Sequence, residues 1–191
     1  MGRFVVLPFI TGILLIVGGV VSIVSLPLPW SQADAEKARI KYDFYLLGWE
    51  TNFCRNENGV MKRYGYANSF EFKAFETSGI CVIVMTIVGA VFSFLTAFYY
   101  LLHAFGFTQK CLKKIKLNVG RRTWILLIFG IISLVINIIG MVLWLALFFS
   151  NNVAEWIAES SPNPAWGFYI ELISIVFSAF GIIIGMFWKH S

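Results

Sequence analysis

The sequence predicts an all-α membrane protein, a four-transmembrane-helix bundle with a small extracellular β-sheet in the first loop. Three observations lead there. Four uninterrupted apolar runs, at about 4–26, 80–102, 123–149 and 166–188, each reach the roughly 20 residues a helix needs to cross a bilayer. Each run gathers small and polar residues along one helical stripe, and the loop at 31–79 holds aromatic segments punctuated by a turn. Apolar residues make up 59% of the 191 and charged residues only 13%, too apolar a balance for a soluble domain of this size. The runs leave loops at 31–79, 103–122 and 150–165, so 1–191 reads as a single four-span membrane domain.

Cations set the expected orientation, because Lys and Arg are retained on the cytoplasmic side. The 103–122 loop carries Lys110, Lys113, Lys114, Lys116, Arg121 and Arg122 without an acid, and the 150–165 loop carries Glu155 and Glu159 without a base. Both termini and the basic loop are therefore expected in the cytoplasm, with the other two loops outside. The formal charge of +5 is a topology signal, and no nucleic-acid partner is expected from it.

In the first span Pro8 lies one turn in, and Thr11, Gly18, Ser22 and Ser25 form a stripe. Pro27-Leu28-Pro29-Trp30 ends the helix, with Trp30 expected at interfacial depth as an anchor. An alternative reading makes this run a signal peptide cleaved near Ala33-Asp34-Ala35, but a run of about 23 residues exceeds the roughly 7 to 15 of a signal core. Beyond it, 31–41 is polar and is expected as a short helix or flexible arm. The segments 42–54 and 60–75 flank the turn-like Arg55-Asn56-Glu57-Asn58-Gly59, which suggests a hairpin.

The second span carries Gly89, Ser93 and Ala97 at four-residue spacing, a ladder that lets helix backbones approach closely. His103 closes it as an interfacial polar residue, without the neighbours a metal site needs. In the basic loop 110–122 the cation cluster is expected to attract anionic inner-leaflet lipid. Cys111 beside it is either a palmitoylation site or an inert thiol.

The third span aligns Gly130, Ser133, Asn137 and Gly140. Asn137, near mid-membrane, needs a partner on another span, either a hydroxyl or a backbone group. The fourth aligns Gly167, Glu171, Ser174, Ser178, Gly181 and Gly185 at alternating steps of four and three, with Gly181 and Gly185 suited to close packing. Glu171 is the one ionisable residue inside a span, roughly 9 Å deep at 1.5 Å per residue. Its stripe aims it into the bundle, with Thr86 as a candidate partner. It is either a structural hydrogen-bonding group that fixes helix register, or an ion or proton site, or a contact for another membrane protein.

The order of parts resembles the claudin and peripheral myelin protein superfamily, which also includes the epithelial membrane proteins and, more distantly, the amastins. The resemblance covers nearly the whole chain as architecture. At motif level, claudin-like first loops carry Trp, then Gly-Leu-Trp-x-x-Cys, then a second Cys. Trp30 matches the first position, and Leu47-Gly48-Trp49 followed by Cys54 is similar but rearranged and more widely spaced. Gly167-Phe168-Tyr169-Ile170 is similar to the fourth-span opening of the myelin proteins. The second loop cysteine is missing, and a Cys54–Cys81 bridge is a possible substitute for the family disulfide, against two unpaired thiols.

The resemblance implies an integral plasma-membrane structural protein acting in cell-cell contact, barrier formation or membrane organisation through its first loop. Its expected partners are the bilayer and either further copies of itself or another membrane protein. The alternatives are an auxiliary subunit of a channel or receptor, or a proton-coupled transporter or sensor using Glu171. The sequence shows no phosphate loop, Cys-x-x-Cys, His-Glu-x-x-His or Gly-x-Ser-x-Gly, so no enzyme, cofactor or metal is expected.

Overall fold

The computed structural model describes residues 5–35, 40–53, 62–65, 73–106, 119–150 and 163–187. Among these lie four helices, α1 (Val6–Ser25), α2 (Lys73–Ala104), α3 (Val119–Ser150) and α4 (Trp166–Phe187). All four contain a stretch long and apolar enough to cross a membrane: Val6–Ser25, Thr77–Ala104, Leu127–Ala146 and Trp166–Phe187. Helices α2 and α3 have 32 residues each, about 48 Å at 1.5 Å per residue, longer than the roughly 30 Å of a hydrocarbon core. Residues 73–79, expected in the first loop, are thus helical. The apolar run ends there, but Lys73-Ala74-Phe75-Glu76-Thr77-Ser78-Gly79 contains no Pro, and a single glycine costs a helix only about 1 kcal/mol.

Five described strands form one antiparallel sheet: β1 (Ser31–Ala35), β2 (Ile40–Tyr45), β3 (Gly48–Phe53), β4 (Lys62–Gly65) and β5 (Asn163–Pro164). Their order is β4-β3-β2-β1-β5. The expected hairpin is present as β3 against β4, with Gly48 opposite Gly65 and Thr51 opposite Lys62; the turn at 55–59 lies outside the described residues. Three features differ from expectation. The polar stretch Ser31–Ala35 is a strand rather than a helix or arm, paired from Ser31↔Phe44 to Ala35↔Ile40. Its residues lack strand propensity, so pairing and burial of alternate side chains decide its state. The segment 42–54 folds back on itself, Tyr45 opposite Gly48 around Leu46-Leu47. Finally, the 150–165 loop contributes β5, with Ser31↔Pro164 and Gln32↔Asn163.

By contact density the chain divides into two units. One, the helix unit, comprises Met1–Ile23, Ile87–Ile138 and Ile173–Ser191. Its apolar core is Leu15, Ala97, Tyr100, Leu127 and Ile182. Three serine hydroxyls cross between helices to backbone carbonyls: Ser93 to Leu15 at 2.9 Å, Ser133 to Gly89 at 2.6 Å and Ser174 to Gly18 at 2.7 Å. The amide of Val5 donates to Ala104 O at 3.1 Å, satisfying groups that two helix ends would otherwise leave open. Helix α2 stops just beyond, where Gly106 takes the left-handed conformation (φ 72°) and donates to His103 O at 2.9 Å.

The other, the sheet unit, comprises Val24–Thr86 and Ile139–Leu172. Alternation along the strands turns Ser31, Ala33 and Phe44 inward, where Ala33 and Phe44 join Leu46 of the β2–β3 turn, Trp30, Val82 and Trp144 in one core.

Candidate functional site

Within the sheet unit, the most specific chemistry gathers around Trp30, expected as an interfacial anchor but fully buried at 0% exposure. The most exposed aromatic near the start of α4, among the described residues, is Trp166, at 72%. Trp30 follows two prolines that end α1, so its backbone is free to pair outward. Its N–H donates to Phe44 O at 2.8 Å, and its C=O accepts from Ala165 N–H at 3.0 Å. The adjacent Pro29 C=O accepts from Gly167 N–H at 2.8 Å. The first amides of a helix lack partners within it, so these carbonyls cap the start of α4.

The indole is held as tightly as the backbone. Trp30 Nε1 donates to Ser25 O at 3.0 Å, and its ring meets Trp144 edge-on at a centroid distance of 6.1 Å. Trp144 Nε1 in turn donates to Ser31 Oγ at 3.1 Å. A buried indole needs such an acceptor, and here two are met within one cluster. Gly167 lies against the Trp30 ring, where a Cβ would come within 2.6 Å of Cδ1. Gly79 of α2 lies against the backbone carbonyl of Leu46, in the β2–β3 turn, so closely that any side chain would overlap it. Sheet and helix ends thus meet at two places that tolerate only glycine.

Glu171 completes the cluster at 1% exposure. Ser25 Oγ donates to its Oε2 at 2.9 Å. The hydroxyl on Oε2 therefore comes from α1, where the expectation was Thr86 of α2. Spacing along one helix does not reveal which neighbouring helix faces it. Chemically this is an interlocked anchor in which the Trp30 and Trp144 indoles and the Ser25 hydroxyl all donate to acceptors within the cluster.

The remaining sequence-derived residues take these places. Gly48 opens β3, and Trp49 stands opposite Phe44 and Tyr64 in register. Cys54, Cys111 and the bulk of the 110–122 basic loop lie outside the described residues. Cys81 is a free, exposed thiol. It shares the exposed stripe of α2 with Ile80, Val84, Ile87 and Val88, which turns it away from the core. Gly89, Ser93, Ala97, Gly130, Asn137, Gly181 and Gly185 are buried in the helix unit, and Gly140 in the sheet unit against Met85. Gly181 packs on Leu14 and Leu15, and Gly185 on Tyr100 and Thr11.

Asn137 departs from expectation. Its carboxamide rests on Gly89, but Oδ1 has no hydrogen-bond partner among the described residues. Ser133, one turn earlier, already donates to the Gly89 carbonyl. Among the described residues no group of three or more His, Cys, Asp or Glu could hold a metal.

Sequence reasoning missed Trp144, Gly79 and the pairing of Ser25 with Glu171. Trp144 sits inside an apolar run, where only its N–H, a donor that needs a partner, sets it apart. No protein-family model matches the chain, and no curated protein matches it.

Proposed function

We propose that this chain is a claudin-like membrane structural protein that presents its sheet outside the cell and acts in cell-cell contact, barrier formation or membrane organisation. The observation that carries the reading is the rooted sheet. Strands from the long first loop and the short second loop join in one antiparallel sheet, and Trp30 is locked at its base by backbone and indole hydrogen bonds. A loop that only linked two spans would have no use for such an attachment, whereas a surface that must present a defined shape to a partner does. The four apolar helices and the resemblance in Trp30, Gly48 and Trp49 support the same reading. The buried serines, tryptophans and Glu171 are engaged in holding helices and loops, which favours a structural over a catalytic role.

The reading places both termini in the cytoplasm and the protein at the plasma membrane, with the bilayer and a second membrane protein, the same or different, as partners. Its test is a tagged chain expressed in cells that do not adhere, imaged where two such cells touch. Enrichment at contacts, lost on Trp30→Ala and Trp49→Ala at equal surface level, is the expected result. Even distribution over the surface would overturn the adhesive reading and favour an auxiliary subunit of a channel or receptor.

A further inference from the structure

Ser25 is the last residue of α1, and its hydroxyl donates to a carboxylate side chain, where those of Ser93, Ser133 and Ser174 reach backbone carbonyls. The default is a bond back to the carbonyl one turn earlier, as Thr96 makes to Phe92 O at 2.8 Å. Ser25 donates across to Glu171 at 2.9 Å, fully buried. Its own carbonyl, left open by the helix end, accepts twice: from Leu28 N–H at 3.2 Å and from Trp30 Nε1 at 3.0 Å. Trp30 then passes the constraint on through its backbone bonds to Phe44 and Ala165. A continuous path runs from the Glu171 carboxyl through Ser25 and the Trp30 indole into β2.

We propose that Glu171 is a positioning residue for the first loop. By holding the Ser25 hydroxyl it fixes the last turn of α1, and thereby the carbonyl that receives the Trp30 indole at the base of the sheet. Ser25 needs an oxygen acceptor at this point, and an amide oxygen of the same reach supplies one. Glu171 therefore acts here as a hydrogen-bond acceptor for Ser25. The consequence for cell contact rests on the adhesive reading above; the positioning role does not.

The test is amide hydrogen exchange by mass spectrometry on the full chain in phosphatidylcholine nanodiscs, followed in peptides covering Leu28, Trp30, Ala165 and Gly167. Glu171→Leu and Ser25→Ala are each expected to speed exchange there roughly tenfold, the equivalent of about 1.4 kcal/mol and the scale of one buried hydrogen bond. Glu171→Gln should stay within about twofold of the parent, because its amide oxygen still accepts from Ser25. The double variant Ser25→Ala, Glu171→Leu should fall short of the product of the two single effects, because both remove the same bond. Exchange in peptides around Ser93 and Ser133 should not change.

Exchange in Glu171→Gln as fast as in Glu171→Leu would overturn the proposal, as would effects that multiply in the double variant. So would acceleration spread evenly through all four helices. Should Glu171→Leu fail to fold, Ser25→Ala and Glu171→Gln still decide it, the first being fast and the second not. If the parent does not collect at cell contacts while the exchange pattern holds, the adhesive reading falls and the positioning role stands.

Discussion

In the helix unit, Ser93, Ser133 and Ser174 each reach one backbone carbonyl on a neighbouring helix, and glycines bring the backbones close enough for them to do so. In the sheet unit the buried donors are the indoles of Trp30 and Trp144, one on a carbonyl and one on a hydroxyl, with a serine on the Glu171 carboxyl. The first arrangement repeats a small, interchangeable contact. The second uses large side chains, each with one acceptable orientation. Redundant contacts should tolerate single losses, and an interlocked cluster should not.

Trp30→Ala tests the interlocked side most severely. It removes one of the two largest buried side chains of the cluster and the donor to Ser25, and should cost about 3–5 kcal/mol in denaturant unfolding from mixed micelles. A cost near 1 kcal/mol would show that the cluster is no more specific than the helix contacts. Gly79→Ala comes next at about 3 kcal/mol, near the upper end for overpacking, because the new Cβ meets the Leu46 backbone, which cannot turn aside as a flexible side chain would. Chemical denaturation of this variant against Gly140→Ala, where the nearest neighbour is the Met85 side chain at 3.5 Å, separates the two kinds of contact.

On the redundant side, Ser133→Ala should lower stability by only about 0.5–1.5 kcal/mol in the same assay, the range for one hydroxyl between membrane helices. The smallest effect sharpens the comparison further. Thr11 Oγ1 is buried with no hydrogen-bond partner among the described residues, so Thr11→Val should be neutral or slightly stabilising. A Thr11→Val variant that unfolds as readily as Ser133→Ala would mean that the helix unit depends on this hydroxyl as well.

The four helices were legible in the sequence because hydrocarbon length and apolar composition leave a chain few alternatives. The buried stripes were legible for a related reason. Helical periodicity places Thr11, Gly18 and Ser22, or Gly130, Ser133, Asn137 and Gly140, on one side, and a polar residue inside a membrane turns toward protein. The partner of each stripe residue was not legible. Glu171 met Ser25 rather than Thr86, and Asn137 Oδ1 met no donor among the described residues, because partner choice depends on which helices touch and at what height. The short strands were the least visible. Ser31–Ala35 and Asn163–Pro164 carry almost no local preference and are held by their neighbours in the sheet.

By itself, then, the sequence determined the number of spans, their ends to within a few residues in α1 and α4, the residues that turn inward, and a hairpin in the first loop. Those properties are local, set by residue period and by hydrophobic transfer along one segment at a time. Only the tertiary structure decided that Trp30 is a core residue rather than an anchor, that the second loop lends a strand to the sheet, and that Ser25 bridges Glu171 to the base of the first loop. These contacts join residues far apart in the chain, Ser25 and Glu171 by 146 positions, and no periodicity within a segment records which distant group it will meet.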